Sequence, residues 1–123
     1  MKFNILFVCT LNKMRSATAE AIYKNDIRFN VKSAGIHIIA LNKLNNELII
    51  WADYILVMEV MHINFIKNKF SVNINKLVCL NIDDEFDYMD KELIKRLNYA
   101  VEAFFKIISE SNINKLDITS DLT

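Results

Sequence analysis

Cys9 and Arg15 are separated by five residues, and Ser16 follows directly. These types at this spacing suit displacement at phosphorus. The nucleophile would be a thiolate, and an ordinary thiol is mostly protonated at neutral pH. A helix N-terminus supplies positive potential and free N–H groups that favour the anion. The loop Thr10-Leu11-Asn12-Lys13-Met14 is long enough to wrap its amides around three phosphoryl oxygens. Arg15 can bind two of those oxygens at once, which a lysine cannot. Ser16 can donate its hydroxyl to the thiolate and steady it as a leaving group. Displacing a basic alkoxide or phenoxide also needs a general acid. Asp83 and Asp84 are the candidates, and the same carboxyl, once ionised, can activate the water that hydrolyses a phosphocysteine.

This chemistry requires a strand before Cys9 and a helix after it. Residues 3–8 are an apolar, β-prone run that reads as a buried strand. From Arg15 to about Asp26, Ala17, Ala19, Ala21, Ile22 and Tyr23 favour helix. Residues 27–32 alternate at period two, as expected of a strand near an edge, and Ser33-Ala34-Gly35 ends it. Leu41 to Trp51 reads as helix, with Leu44, Leu48 and Trp51 on one inward face. Residues 53–59 form a third strand, residues 60–70 a helix, and residues 76–82 a fourth strand. Residues 83–90 are an acidic, aromatic loop. Asp90 is placed to cap a long helix to about Ser109, with Leu93, Leu97, Ala100, Phe104 and Ile108 inward. Residues 111–123 are expected to fray.

Four strands alternating with helices imply βαβ units: an α/β fold of three layers, with a four-stranded parallel sheet and helices on both faces. Ligands of such sheets bind beyond the carboxyl ends of the strands. Cys9, Ser33-Ala34-Gly35, Glu59 and Asp83-Asp84 all follow strands, so they belong to one edge.

Composition narrows the alternatives. The chain has 123 residues, enough for one domain, and 53% are hydrophobic, which excludes a disordered chain. Lys plus Arg is 15 and Asp plus Glu is 15, so no global charge points to nucleic acid or an anionic membrane. There is one glycine, Gly35, and no proline. Dinucleotide fingerprints and Walker loops need more glycines than that. The two cysteines and two histidines, His37 and His62, match no zinc spacing, so no metal and no cofactor are expected. The apolar run before Cys9 is too short for a signal core of ~7–15 residues. The expectation is a cytoplasmic protein with both thiols reduced. Cys79 reads as a packing residue in the fourth strand, Trp51 as core, and His37 and His62 as surface or packing residues without a role. Asn12 tolerates a left-handed conformation and is expected to shape the loop.

At these residues the sequence resembles the low-molecular-weight protein tyrosine phosphatases. Ile5-Leu6-Phe7-Val8-Cys9, Asn12, Arg15-Ser16 and Ala19-Glu20-Ala21 match that family's opening. Ser33-Ala34-Gly35 resembles its turn after strand two, and Asp53 to Glu59 its third strand. Ile82-Asp83-Asp84-Glu85-Phe86 stands where the family has Asp-Pro-Tyr. The resemblance implies strand order 2-1-3-4 and a phosphotyrosine phosphatase. Cys9 would be the nucleophile, Arg15 the clamp and Asp84 the general acid. Thr10 to Met14 would bind phosphate, Ser16 and Ser33 would support the loop, and Phe86 would flank the substrate ring. A phosphotyrosine protein would be the substrate, with phosphate or another oxyanion in the loop. The sequence departs from the family at Leu11, where glycine is usual, at Met14, where many members have a second cysteine, and at Ala17, Asp83 and Glu85, where prolines are usual. The segment between Gly35 and Leu48 is shorter than is typical. Two other functions use the same residues: a non-catalytic phosphate or phosphopeptide binder, and an arsenate reductase, which would need two more cysteines near the acid loop. A sugar-transport phosphocarrier with a cysteine loop would not need the Arg15 clamp.

Overall fold

The outcome is clearest along the first strand, where every residue from Ile5 to Cys9 is buried. A strand apolar on both faces must lie inside a sheet covered on both sides. In the computed structural model this strand, β1 (Phe3–Cys9), is central. The other elements are α1 (Arg15–Tyr23), β2 (Phe29–Gly35), α2 (Asn46–Trp51), β3 (Tyr54–Val57), α3 (Val60–Lys69), a short 3-10 turn (Ile74–Lys76), β4 (Leu77–Cys79) and α4 (Lys91–Leu122). The structure describes residues 2–122, with side chains for 2–111. The sheet is four-stranded and parallel, in the order β2-β1-β3-β4.

Side chains of one strand alternate between faces. Ile5, Phe7 and Cys9 enter a core closed by Ala19 and Tyr23 of α1 and by Leu93, Leu97, Val101, Phe104 and Ile108 of α4. Leu6 and Val8 enter the opposite core, with Leu48 and Ile49 of α2 and Ile66 of α3. The three-layer expectation is met. Because all strands run parallel, Cys9, Gly35 and the residues after Val57 and Cys79 share one edge of the sheet.

Several boundaries move. β2 spans Phe29–Gly35 rather than 27–32. Pairing with β1, from Phe3↔Phe29 to Cys9↔Gly35, overrides the local alternation. Asp26 meanwhile ties Arg28 into a turn, accepting from its backbone N–H at 2.9 Å. α2 starts at Asn46 rather than Leu41. Residues 41–45 stay out of the helix, with a bend at 41–42 and a bridge from Lys43 to Gly35: Gly35 N–H donates to Asn42 O at 2.8 Å, and Leu44 N–H donates to Gly35 O at 2.9 Å. Asn45 then caps α2, accepting from Leu48 N–H. Trp51 is half-buried rather than core, with Lys32 Nζ 4.4 Å from its ring centroid. Cys79 ends β4 instead of sitting within it and is half-buried against the second core. Asp90 caps α4 as expected, accepting from Glu92 and Leu93 N–H at 2.8 and 3.3 Å. That helix runs past Ser109 to Leu122. The fraying expected of residues 111–123 falls, from 112 on, outside the described side chains. Among the described residues no helix is long and apolar enough to cross a membrane.

Candidate active site

The turn from β1 into α1 reverses in a few residues, and it does so without glycine. Asn12 takes the left-handed conformation, with φ at 58°. Leu11 is not among the residues of positive φ, so the expected glycine position needs no glycine here. The side chain of Asn12 is buried and holds the turn. Its Nδ2 donates to Ser16 Oγ at 2.8 Å and to Ser33 Oγ at 2.9 Å. Ser33 Oγ donates onward to Glu20 Oε1 at 2.7 Å. Ser16 Oγ, having accepted from Asn12, lies 3.0 Å from Cys9 Sγ. Its single hydrogen has two acceptors in reach, Ala34 O at 3.4 Å and the nearer sulfur, which can only accept once the thiol ionises.

The loop carbonyls are engaged away from the cavity. Ile36 N–H donates to Cys9 O at 3.1 Å, His37 N–H to Thr10 O at 3.0 Å and Leu41 N–H to Leu11 O at 3.1 Å. The amides of Leu11 to Met14 have no protein acceptor among the described residues. Free amides beside a helix N-terminus form an anion-binding concavity. The cavity beside this loop has a volume of about 220 Å³ and is lined by Cys9, Thr10, Leu11, Lys13, Met14, Arg15 and Asp84.

Arg15 is 2% exposed. A buried guanidinium needs partners, and its Nη1 has two: Glu59 Oε2 at 2.8 Å and Ile82 O at 2.7 Å. That leaves the rest of the fork for a ligand, with Nε 3.8 Å from Asp84 Oδ1. Glu59 is the N-cap of α3 in a capping box with His62. His62 is fully buried, and its Nε2 lies 3.0 Å from Thr10 Oγ1. Burial, and then the Arg15 charge, lower its pKa to about 4.

The loop that carries Asp83 and Asp84 is tied down without proline. Leu80 N–H donates to Val57 O and Ile82 N–H to Met58 O, both at 2.8 Å. Asn81 and Met89 take left-handed turns at φ 56° and 61°. Met89 N–H donates to Thr18 Oγ1 at 2.9 Å. Asp84 faces the cavity from this loop and is largely exposed. Asp83 is exposed and does not line the cavity.

The structure thus brings Cys9, Thr10, Leu11, Lys13, Met14, Arg15 and Asp84 to one cavity, with Asn12, Ser16 and Ser33 behind it. It does not bring Phe86 there. That ring packs against the first core, with the Arg96 guanidinium 5.2 Å from its centroid. His37 is exposed, and its Nδ1 accepts from Ile39 N–H. Sequence reasoning assigned no role to Glu20, Glu59 or His62. The available signal was Glu59-x-x-His62 at a strand-to-helix turn, which is capping-box spacing with histidine at its third position.

No protein-family model and no curated protein sequence matches the chain. Solved structures do match it. YwlE arginine phosphatase from Geobacillus stearothermophilus is 22% identical, with a TM-score of 0.68 over 94% of this chain and 96% of its own. The tyrosine phosphatase Wzb from Escherichia coli K30, in complex with phosphate, is 21% identical, with a TM-score of 0.67 over 85% and 96%. A YwlE variant with a phosphorylated active-site serine is 26% identical, with a TM-score of 0.63 over 80% and 94%. The chain therefore has the fold of the low-molecular-weight protein phosphatases, the architecture that the resemblance at Cys9 to Ser16 implied.

Proposed function

We propose that this protein is a phosphotyrosine protein phosphatase working through a phosphocysteine on Cys9. One observation carries the reading: Cys9 Sγ, hydrogen-bonded to Ser16 at 3.0 Å, shares a cavity with Arg15 and Asp84. The thiolate attacks phosphorus and forms the S–P bond as the P–O bond to the substrate breaks. Asp84 gives its proton to the departing oxygen. Free loop amides and the unspent part of the Arg15 fork hold the three equatorial oxygens, where charge gathers in the transition state. The Asp84 carboxylate then takes a proton from water, which attacks phosphorus and releases phosphate. Ser16 donates to the departing thiolate. Of the two aspartates, Asp84 is the better acid candidate because it lines the cavity and Asp83 does not. The substrate would be a phosphorylated protein in a cytoplasmic setting.

Phosphoarginine is the second reading, favoured by the similarity to YwlE arginine phosphatase. The test is hydrolysis of p-nitrophenyl phosphate, a phosphotyrosine peptide and a phosphoarginine peptide by wild type, Cys9→Ser, Asp83→Asn and Asp84→Asn. Turnover should vanish in Cys9→Ser and fall about 10²–10⁴-fold in Asp84→Asn. Turnover surviving Cys9→Ser sinks the mechanism. A larger loss in Asp83→Asn moves the acid by one residue. A wild type that binds phosphate but hydrolyses nothing is a binding module.

A further inference from the structure

Thr10 follows Cys9 and lines the cavity, and its hydroxyl has a buried partner of its own. His62 Nε2 lies 3.0 Å from Thr10 Oγ1. The other ring nitrogen, Nδ1, accepts the backbone N–H of Glu59 at 3.0 Å. A backbone N–H can only donate, so Nδ1 carries a lone pair. The ring is fully buried and neutral at ordinary pH, since burial and the Arg15 charge lower its pKa to about 4. A neutral imidazole with a bare Nδ1 has its proton on Nε2. Nε2–H therefore donates to Thr10 Oγ1, and the threonine keeps its own hydrogen for another acceptor. The concavity beside Thr10 is where phosphoryl oxygens would sit.

We propose that His62 is a positioning residue that aims the Thr10 hydroxyl, as a hydrogen-bond donor, at the bound phosphoryl group. The inference rests on the phosphate-binding reading of the loop and adds one side-chain donor to the amides and Arg15. A single turn then organises two ligands of the oxyanion. At the start of α3, Glu59 holds Arg15 through its carboxylate, and His62 holds Thr10 through its ring.

The probe is inorganic phosphate, measured by titration calorimetry, so the test does not depend on turnover. Thr10→Val keeps the shape and removes the hydroxyl. It should weaken phosphate binding about tenfold, the usual loss for one hydrogen bond to a charged group. Thr10→Ser should recover most of that loss. In a His62→Leu background the hydroxyl is no longer aimed, so Thr10→Val should cost about threefold or less. A merely structural His62 would leave the Thr10→Val penalty at about tenfold in both backgrounds, which overturns the proposal. Nitrogen NMR of labelled histidine reads the tautomer without any substitution: a proton on Nε2 is expected, and one on Nδ1 overturns it. A wild type that binds no phosphate defeats the phosphatase reading itself. Phosphate bound equally by wild type and Thr10→Val defeats only the role of Thr10.

Discussion

Gly35→Ala is the most revealing single change available. A Cβ there would lie 2.6 Å from Thr10 O, 2.9 Å from Asn12 N and 2.6 Å from Ala40 Cβ. Non-bonded carbon contacts are comfortable at ~3.5–4.0 Å. The neighbours must therefore retreat by something on the order of 1 Å. Two of the three are backbone atoms of the loop between Cys9 and Arg15, and Thr10 O is also held by His37 N–H at 3.0 Å. Overpacking of this kind costs ~1–3 kcal/mol, and three simultaneous contacts put it in the upper part of that range. Alanine returns ~0.4–1 kcal/mol by restricting the unfolded chain. The net loss is about 2 kcal/mol, or roughly 6–10 °C in Tm for a domain of this size. Activity should suffer more, because a 1 Å displacement of a catalytic loop can cost ~10²-fold. The assay is kcat/KM on p-nitrophenyl phosphate beside thermal unfolding. A Gly35→Ala protein with wild-type Tm and a rate within about twofold would refute the claim that Gly35 is kept for close approach.

Other changes probe the α3 turn. Glu59→Gln keeps an acceptor for Arg15 Nη1 but removes the negative charge 2.8 Å from it, leaving Asp84, 3.8 Å from Nε, as the neighbouring carboxylate. It should cost about 1–3 kcal/mol in urea unfolding, with a fall in kcat/KM of about tenfold as the buried guanidinium loses its counter-charge. A variant matching wild type in both would show that Arg15 is held by other means. His62 should shape the acid limb of stability. Its folded-state pKa is near 4 and its ordinary value is 6.5, so the unfolded chain takes the proton first as pH falls. Stability is full above about pH 6.5 and is lost progressively down to about pH 4, by up to about 3 kcal/mol. The Arg15 charge deepens this effect, while Glu59 and Asp84 oppose it. Denaturant unfolding of His62→Gln against pH should be flatter across that window, and an unchanged slope would assign the acid limb to other groups.

Much of the site was legible because its chemistry is local. Cys9, Arg15 and Ser16 lie within one turn, and Asn12 announced the left-handed residue that the turn requires. The buried, two-faced character of residues 5–9 placed β1 inside the sheet. The misreadings were those in which a distant partner decides. Residues 27–28 alternate like a strand, yet the register with β1 starts the strand at Phe29. Residues 41–45 have helical spacing, yet pairing with Gly35 and the bond from Leu41 N–H to Leu11 O hold them against the loop after Cys9 instead. Phe86 sat beside the acid in sequence, yet its ring turned toward the core and Arg96.

The sequence by itself determined the parallel α/β architecture and the composition of the loop from Cys9 to Ser16. Both rest on periodicity and spacing over a few neighbouring residues. Only the tertiary structure decided what surrounds that loop. Glu59, His62 and the Ile82 carbonyl lie 44 to 67 positions from the residues they hold. A buried charge and a buried imidazole need partners, and only the parallel sheet, gathering every strand end at one edge, could bring these within 3 Å.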